Sequence, residues 1–209
     1  VIGTLNLLEA ARNCQSVKAI VNVTTDKVYE NKKQDSGYKE TDNLGGFDPY
    51  SSSKACSEIL TSSYRNSFFN NSSHEILIAT ARAGNVIGGG DWANDRLIPD
   101  IARAVIKKEK VKIRNPGSVR PWQHVLEPLS GYLLLGQKLL EGKEAFASAW
   151  NFGPDDNTRV EVQNVVKLIQ QCWNKVEFNT NVKGHDVFHE AGFLKLESTK
   201  AISDLKWMS

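Results

Sequence analysis

The segment VKAIVNVTTDK (residues 17–27) begins apolar and ends polar. Val17, Ile20, Val21 and Val23 are β-branched and crowded into one short run, which predicts a buried strand of a parallel sheet over 17–25. At Thr24 the run changes to two hydroxyls, a carboxylate and an amine. Working outward, VIGTLNLLEAARNC before it has helical spacing, and a polar loop follows at about 31–48. From Tyr50, YSSSKACSEILTSSYRNSFF reads as a helix with Ile59, Leu60, Tyr64 and Phe68 on related faces. HEILIATARAGNV is a second apolar strand, GGGDWANDR a loop and LIPDIARAVIKKE a helix. Beyond these, KVKIRN, SAWNFGP and VEFN read as short strands, and VLEPLSGYLLLGQKLLEG as a helix. Thr158 and Glu161 form a capping-box pattern ahead of a further helix, and ESTKAISDL is a capped helix near the end. Strands alternating with helices predict an α/β fold with parallel connections.

Composition narrows the function classes. The 209 residues are 40% hydrophobic and 24% charged with net charge +2, so no basic field points to nucleic acid. No run approaches the about 18–20 apolar residues of a membrane span. Cys14, Cys56 and Cys172 are odd in number, far apart and without metal spacing, which predicts reduced cytoplasmic thiols. His74, His185 and His189 lack Cys or carboxylate partners at ligand spacing, so no metal site is expected. The chain opens inside a helical pattern without Met or a signal peptide and stops just after a helix, which predicts a piece of a longer protein.

In open α/β sheets ligands sit beyond the carboxyl ends of the strands. Thr24–Lys27 lies at one such end and Ala83–Gly90 at another. TTDK alone fits a strand-terminating turn equally well. Tyr50 and Lys54, four apart, share a helix face, and an ammonium near a phenol favours the phenolate. That gives an acid/base able to work near neutral pH. A Y-x-x-x-K pattern is weak by itself and strong when it follows a strand ending in Thr-Thr-Asp.

Here the sequence resembles the extended short-chain dehydrogenase/reductases, in which a Ser or Thr at a strand end, a Tyr and a Lys form the catalytic group. GTLNLLEAAR is also similar to the helix before that strand in the family. The resemblance implies a Rossmann-type doubly wound parallel sheet, here without its N-terminal half. Residues 1–90 would belong to the NAD-binding part, and 91–209 mainly to a smaller α/β substrate-binding part interleaved with it. The family's glycine-rich pyrophosphate turn would lie upstream, since GNVIGGGDW follows a late strand. TTDK, ARAGNVIGGGDWANDRLIPD, RPWQHVLEPLSGYL and AWNFGP together resemble the nucleotide-sugar 4,6-dehydratases, in particular those acting on CDP-glucose. Thymidine-linked members carry Thr-Asp-Glu where this chain has Thr25-Asp26-Lys27.

That resemblance assigns Thr25, Asp26, Lys27, Tyr50 and Lys54 as catalytic, with NAD as cofactor contacted by Tyr50, Lys54 and Ala83. Asn85, Arg96, Arg120, His124 and Asn151 would bind the substrate, whereas Arg82 is structural and Cys56 packs beside the catalytic helix. Asp26 would protonate the departing C6 oxygen if burial raises its pKa. Lys27 is either the base at C5 or a charge that stabilises the enolate. The same kinship implies a cytoplasmic homodimer or higher homo-oligomer paired through the first two helices, in 3,6-dideoxyhexose synthesis for cell-surface polysaccharide. Two other readings remain: a related epimerase that keeps Tyr50 and Lys54, and a non-catalytic piece that binds or dimerises. The 209 residues alone are expected to be inactive.

Overall fold

A computed structural model describes residues 1–32, 34, 36–69, 76–154, 159–180 and 194–208. The elements run α1 (Ile2–Arg12), β1 (Ala19–Val23), α2 (Pro49–Tyr64), β2 (Leu77–Ala83), β3 (Val86–Ile87), α3 (Leu97–Lys107), β4 (Val111–Lys112) and β5 (Val119–Pro121). They continue with β6 (Gln123–His124), α4 (Leu126–Leu140), β7 (Ala149–Phe152), β8 (Arg159–Glu161), α5 (Val162–Cys172), β9 (Phe178–Asn179) and α6 (Thr199–Leu205).

The main sheet has the order β1-β2-β7, all parallel, with Val23 opposite Ala81 and Ala83 opposite Phe152. Alternation along β2 sorts its side chains to two faces. Leu77, Ala79 and Ala81 face Leu135 and Leu139 of α4 and Leu205 of α6, together with Trp150, Phe152 and Trp207. Ile76 and Ile78 face Leu8 and Ala11 of α1 and Tyr64 of α2. The result is a three-layer α/β arrangement whose middle strand is closed on both faces. A separate apolar cluster joins Ile101 of α3, Val111 and Ile113 around β4, Val166 of α5 and Val176.

Several expectations change. The strand at 17–25 was expected to be buried, but β1 is only half-buried and Val23 is 46% exposed. The reason is position: β1 pairs with β2 alone among the described residues. Connections are not all parallel, because β5 and β8 run antiparallel. β8 occupies residues expected to open a capped helix, so α5 starts only at Val162, and Thr158 lies outside the described residues. Ser198 precedes α6 without capping it; its hydroxyl accepts from the Gly153 amide at 2.8 Å instead. Leu60 and Tyr64 turn inward, whereas Ile59 and Phe68 are 57% and 38% exposed; a π-helical turn over Arg65–Phe69 breaks the α2 periodicity. Cys56 is exposed rather than packed, and His74, His185 and His189 lie outside the described residues.

Candidate active site

The β1–β2 ladder continues past Val23, with the Thr24 amide donating to the Ala81 carbonyl at 2.8 Å. The chain then coils into a one-turn 3-10 helix, Asp26–Val28, whose N-cap is Thr25. Thr25 Oγ1 accepts from the Lys27 amide at 3.4 Å and donates to Asp26 Oδ1 at 3.0 Å. One hydroxyl thus fixes the turn and orients its carboxyl. Thr24, Thr25 and Asp26 are buried, while Lys27 is exposed. Burial pushes the Asp26 carboxyl above the ordinary aspartate range, outweighing the Thr25 hydrogen bond and the charges of Lys27 and Arg120. Its surroundings are tight: a Cβ added at Gly84 would lie 3.3 Å from Asp26 Oδ2 and 2.7 Å from Pro121 Cγ. Tyr132 of α4 faces the same carboxyl, and burial followed by the Asp26 charge pushes its phenol up to about 12.

The second part of the site is the start of α2. Asp48 caps it, accepting from the Ser51 amide at 3.0 Å and the Ser51 hydroxyl at 2.6 Å, with Pro49 at the first helical position. These Ser51 bonds, and more weakly the Lys27 ammonium, hold the Asp48 carboxyl below its usual range. Lys27 therefore lies toward the start of α2, where Tyr50 is 48% exposed and Lys54 is half-buried one turn later. α2 also packs directly on the one-turn helix. The fold thus brings Thr25, Asp26 and Lys27 to the same strand end as Tyr50 and Lys54.

The candidate substrate residues divide. Ala83 ends β2 and Asn85 follows it; both are half-buried, and the Asn85 carbonyl accepts from the Gln123 amide at 3.2 Å. Arg120 on β5 is half-buried and close enough for its charge to act on Asp26. Arg96 precedes α3 and is exposed; His124 is exposed on β6, its Nδ1 accepting from the Leu126 amide at 3.3 Å. Among the described residues neither shares a hydrogen bond or ion pair with the Asp26 turn. Asn151 departs from its expected role. It is 0% exposed, its Oδ1 accepts from the Tyr29 hydroxyl at 2.7 Å, and its Nδ2 donates to the carbonyls of Tyr38 and Glu197 at 2.8 and 3.1 Å. Both ends of its amide are engaged inside the protein, so it ties segments together and presents nothing to a ligand.

Arg82 is structural as expected, paired with Glu58 at 2.9 Å with side chains 3% and 2% exposed. Glu58, Tyr29 and Tyr132 were not anticipated. Glu58 repeats the four-residue spacing of Tyr50 and Lys54, a signal available in the sequence, whereas nothing local marks Tyr29 or Tyr132.

A family model described as the NAD dependent epimerase/dehydratase family matches residues 1–152, and the chain belongs to that family. Within it, the chain is 47% identical to the CDP-glucose 4,6-dehydratase of Salmonella typhimurium over 99% of its own length and 58% of that enzyme's. Among solved structures, the dTDP-glucose 4,6-dehydratase of Bacillus anthracis in complex with NAD superposes with a TM-score of 0.76 at 24% identity, over 99% of this chain and 61% of that one. The UDP-glucuronic acid 4-epimerase of Bacillus cereus, in complex with UDP-glucuronic acid and NAD, gives 0.81 at 18%, over 100% and 61%. The fold is the Rossmann-type α/β fold of these proteins, and the chain spans about three-fifths of their length.

Proposed function

We propose that the protein is a CDP-glucose 4,6-dehydratase, a hydro-lyase forming CDP-4-dehydro-6-deoxy-D-glucose. The observation that carries this is Asp26: a buried carboxyl whose pKa burial raises, on a turn packed against a Tyr/Lys helix start. An epimerase needs no acid at C6; a dehydratase does. The identity to the Salmonella enzyme supports the choice of nucleotide.

The strand ends offer a site for NAD: Ala83 ends β2 half-buried, Val23 is exposed at the end of β1, whose outer edge has no strand partner among the described residues, and Tyr50 is half-exposed at the start of α2. Tyr50, Lys54 and Ala83 would hold it there, and when bound it supplies the hydride acceptor at C4 and the hydride donor at C6. Tyr50, with Lys54 one turn beyond it, takes the proton of the 4-hydroxyl. Thr25 orients the same oxygen. Once C4 is a ketone the C5 proton is acidic, and Lys27 either removes it or stabilises the enolate that forms. Asp26, protonated, gives its proton to the departing C6 oxygen, which leaves as water. Arg120, Arg96, Asn85 and His124 would bind the sugar diphosphate, Arg120 on the side of the reacting ring because its charge acts on Asp26.

The same reading makes residues 1–90 the cofactor side and 91–209 mainly the substrate side. It also makes the whole protein a cytoplasmic homodimer paired through α1 and α2, consistent with the exposure of Ile2, Leu5 and Ile59. Its product would feed 3,6-dideoxyhexose units of cell-surface polysaccharide such as O-antigen. The 209 residues alone would not turn over; steady NAD-dependent turnover by them refutes this last point.

The test is to incubate the full-length protein with NAD and CDP-, dTDP- or UDP-glucose and identify products. A 4-keto-6-deoxy sugar from CDP-glucose alone is expected. A C4 epimer without dehydration would keep Tyr50 and Lys54 and remove the roles given to Asp26 and Lys27.

A further inference from the structure

Glu58 lies one helical turn beyond Lys54 and two beyond Tyr50 on α2, and it is 3% exposed. Its carboxylate accepts from Arg82 Nε at 3.0 Å and Nη2 at 2.9 Å, and from the hydroxyl of Thr24. Burial opposes a charge there, but the Arg82 fork overcomes it and holds the carboxyl below the usual glutamate range. Arg82 has a further hand: Nη1 donates to the Tyr29 hydroxyl at 2.7 Å and to the Glu40 carbonyl at 3.3 Å. Thr24 immediately precedes Thr25, and Tyr29 immediately follows Val28, the last residue of the one-turn helix. Both flanks of the turn bearing Thr25, Asp26 and Lys27 are therefore tied to one buried ion pair. That pair in turn joins the helix carrying Tyr50 and Lys54 to the strand that ends at Ala83, the residue after Arg82.

We propose that the Glu58–Arg82 pair is a positioning device for the reaction, setting the Thr25–Asp26–Lys27 turn against Tyr50 and Lys54; this rests on the dehydratase reading. A buried ion pair alone is a poor source of stability, since apolar replacements of equal volume are often as stable or more so. What this one supplies is fixed geometry, through directional bonds from three separate segments. Geometry matters here because two proton-transfer groups on different elements must meet one sugar ring, and a displacement of about 1 Å can cost about 10²-fold in rate.

The test uses the full-length protein, and its first variants leave the ion pair intact. Thr24→Val removes the tie before the turn, and Tyr29→Phe the tie after it. Thr61→Val is the comparison: its hydroxyl is fully buried, donates to the Ser57 carbonyl at 2.8 Å and accepts from Asn22 of β1 at 2.8 Å, but it makes no bond to the turn itself. The expected result is a kcat for CDP-glucose reduced about tenfold or more by Thr24→Val and by Tyr29→Phe, with KM within about twofold. Thr61→Val lowers Tm and leaves kcat unchanged. Glu58→Gln, if it folds, reproduces the kcat loss, and Glu58→Asp restores part of it. Positioning is overturned if Thr24→Val and Tyr29→Phe retain wild-type kcat, or if Thr61→Val loses as much as they do. Absence of dehydration by the wild-type protein overturns the function reading alone. The variants are then scored on C4 epimerisation, where the same kcat split sustains positioning and its absence ends it.

Discussion

Asp26 is a carboxyl that its surroundings work to keep uncharged. Burial raises its folded pKa above the unfolded value of about 3.9, so its contribution to stability is complete below that value and is lost as pH rises through the raised one. At neutral pH the ionised group is a burden, tolerated because the proposed acid role needs it. Asp26→Asn should therefore raise Tm at pH 7, show a smaller gain at about pH 4, and abolish dehydration. An equal or lower Tm at pH 7 would contradict the assignment. Glu58 has the opposite sign. Arg82 lowers its pKa, so its contribution is present above about pH 4.3 and is lost as pH falls through the lowered value. Lys27, exposed on the turn, serves only the steps after oxidation in the proposed mechanism. Lys27→Ala should let the 4-keto-glucose nucleotide accumulate while the 6-deoxy product falls at least about tenfold, read by quenched-flow product analysis. Parallel loss of oxidation would remove its specific role.

At the scale of elements, α4 carries a glycine where it meets the Phe152 ring of β7. A Cβ at Gly131 would sit 2.3 Å from Phe152 Cε1 and 2.5 Å from Cδ1, and that ring is wedged edge-on between Tyr132 and Trp207 at 5.4 and 5.2 Å. Ala would gain up to about 1 kcal/mol of helix propensity but cost about 1–3 kcal/mol through overpacking. Gly131→Ala is thus expected to be destabilising in a urea titration, with Phe152→Leu recovering part of the loss. A neutral or stabilising result would mean that α4 docks more loosely. The same contacts show what the sequence could and could not reveal. β2 was legible as an apolar run bounded by a turn, and α2 because its apolar residues recur at helical spacing beyond the Tyr50–Lys54 pair. β3, β6 and the antiparallel β5–β8 pair are two or three residues long, too short for any periodicity, and exist only through their partners. Asp26 was legible as a strand-end carboxyl, but the burial that raises its pKa comes from surroundings such as Gly84 and Pro121, which the fold alone brings to it. Asn151 was misjudged for the same reason: its partner Tyr29 is 122 residues away in sequence.

Across the whole molecule, Asn151 gathers β7, the segment around Tyr38 and the chain near Glu197 into one buried knot with Tyr29. Asn151→Ala takes the acceptor from the Tyr29 hydroxyl and a donor from the Glu197 carbonyl, at about 1–3 kcal/mol for each group that water cannot reach, while Arg82 still donates to Tyr29 and the Glu197 amide to the Tyr38 carbonyl. The expected outcome is a large drop in Tm with KM for the nucleotide sugar unchanged; a KM effect without a stability effect would return Asn151 to the substrate site. The outer surface poses a different problem. The chain exposes 12410 Å², against about 9,700 Å² for a self-contained globule of this mass. Much of the apolar part is organised: Leu126, Leu129, Leu133 and Leu140 are 63%, 42%, 77% and 69% exposed at helical spacing along α4. Val23 and Ile2 are 46% and 73% exposed, and the outer edge of β1 has no strand partner among the described residues. An open strand edge beside apolar helix faces is a template for association. Expressed alone, the 209 residues should sediment as a concentration-dependent mixture and bind ANS, and Leu133→Glu with Leu140→Glu should reduce both effects. A clean monomer at tens of micromolar would mean that these faces close by a rearrangement, and β1 would then have to find its cover within the chain itself.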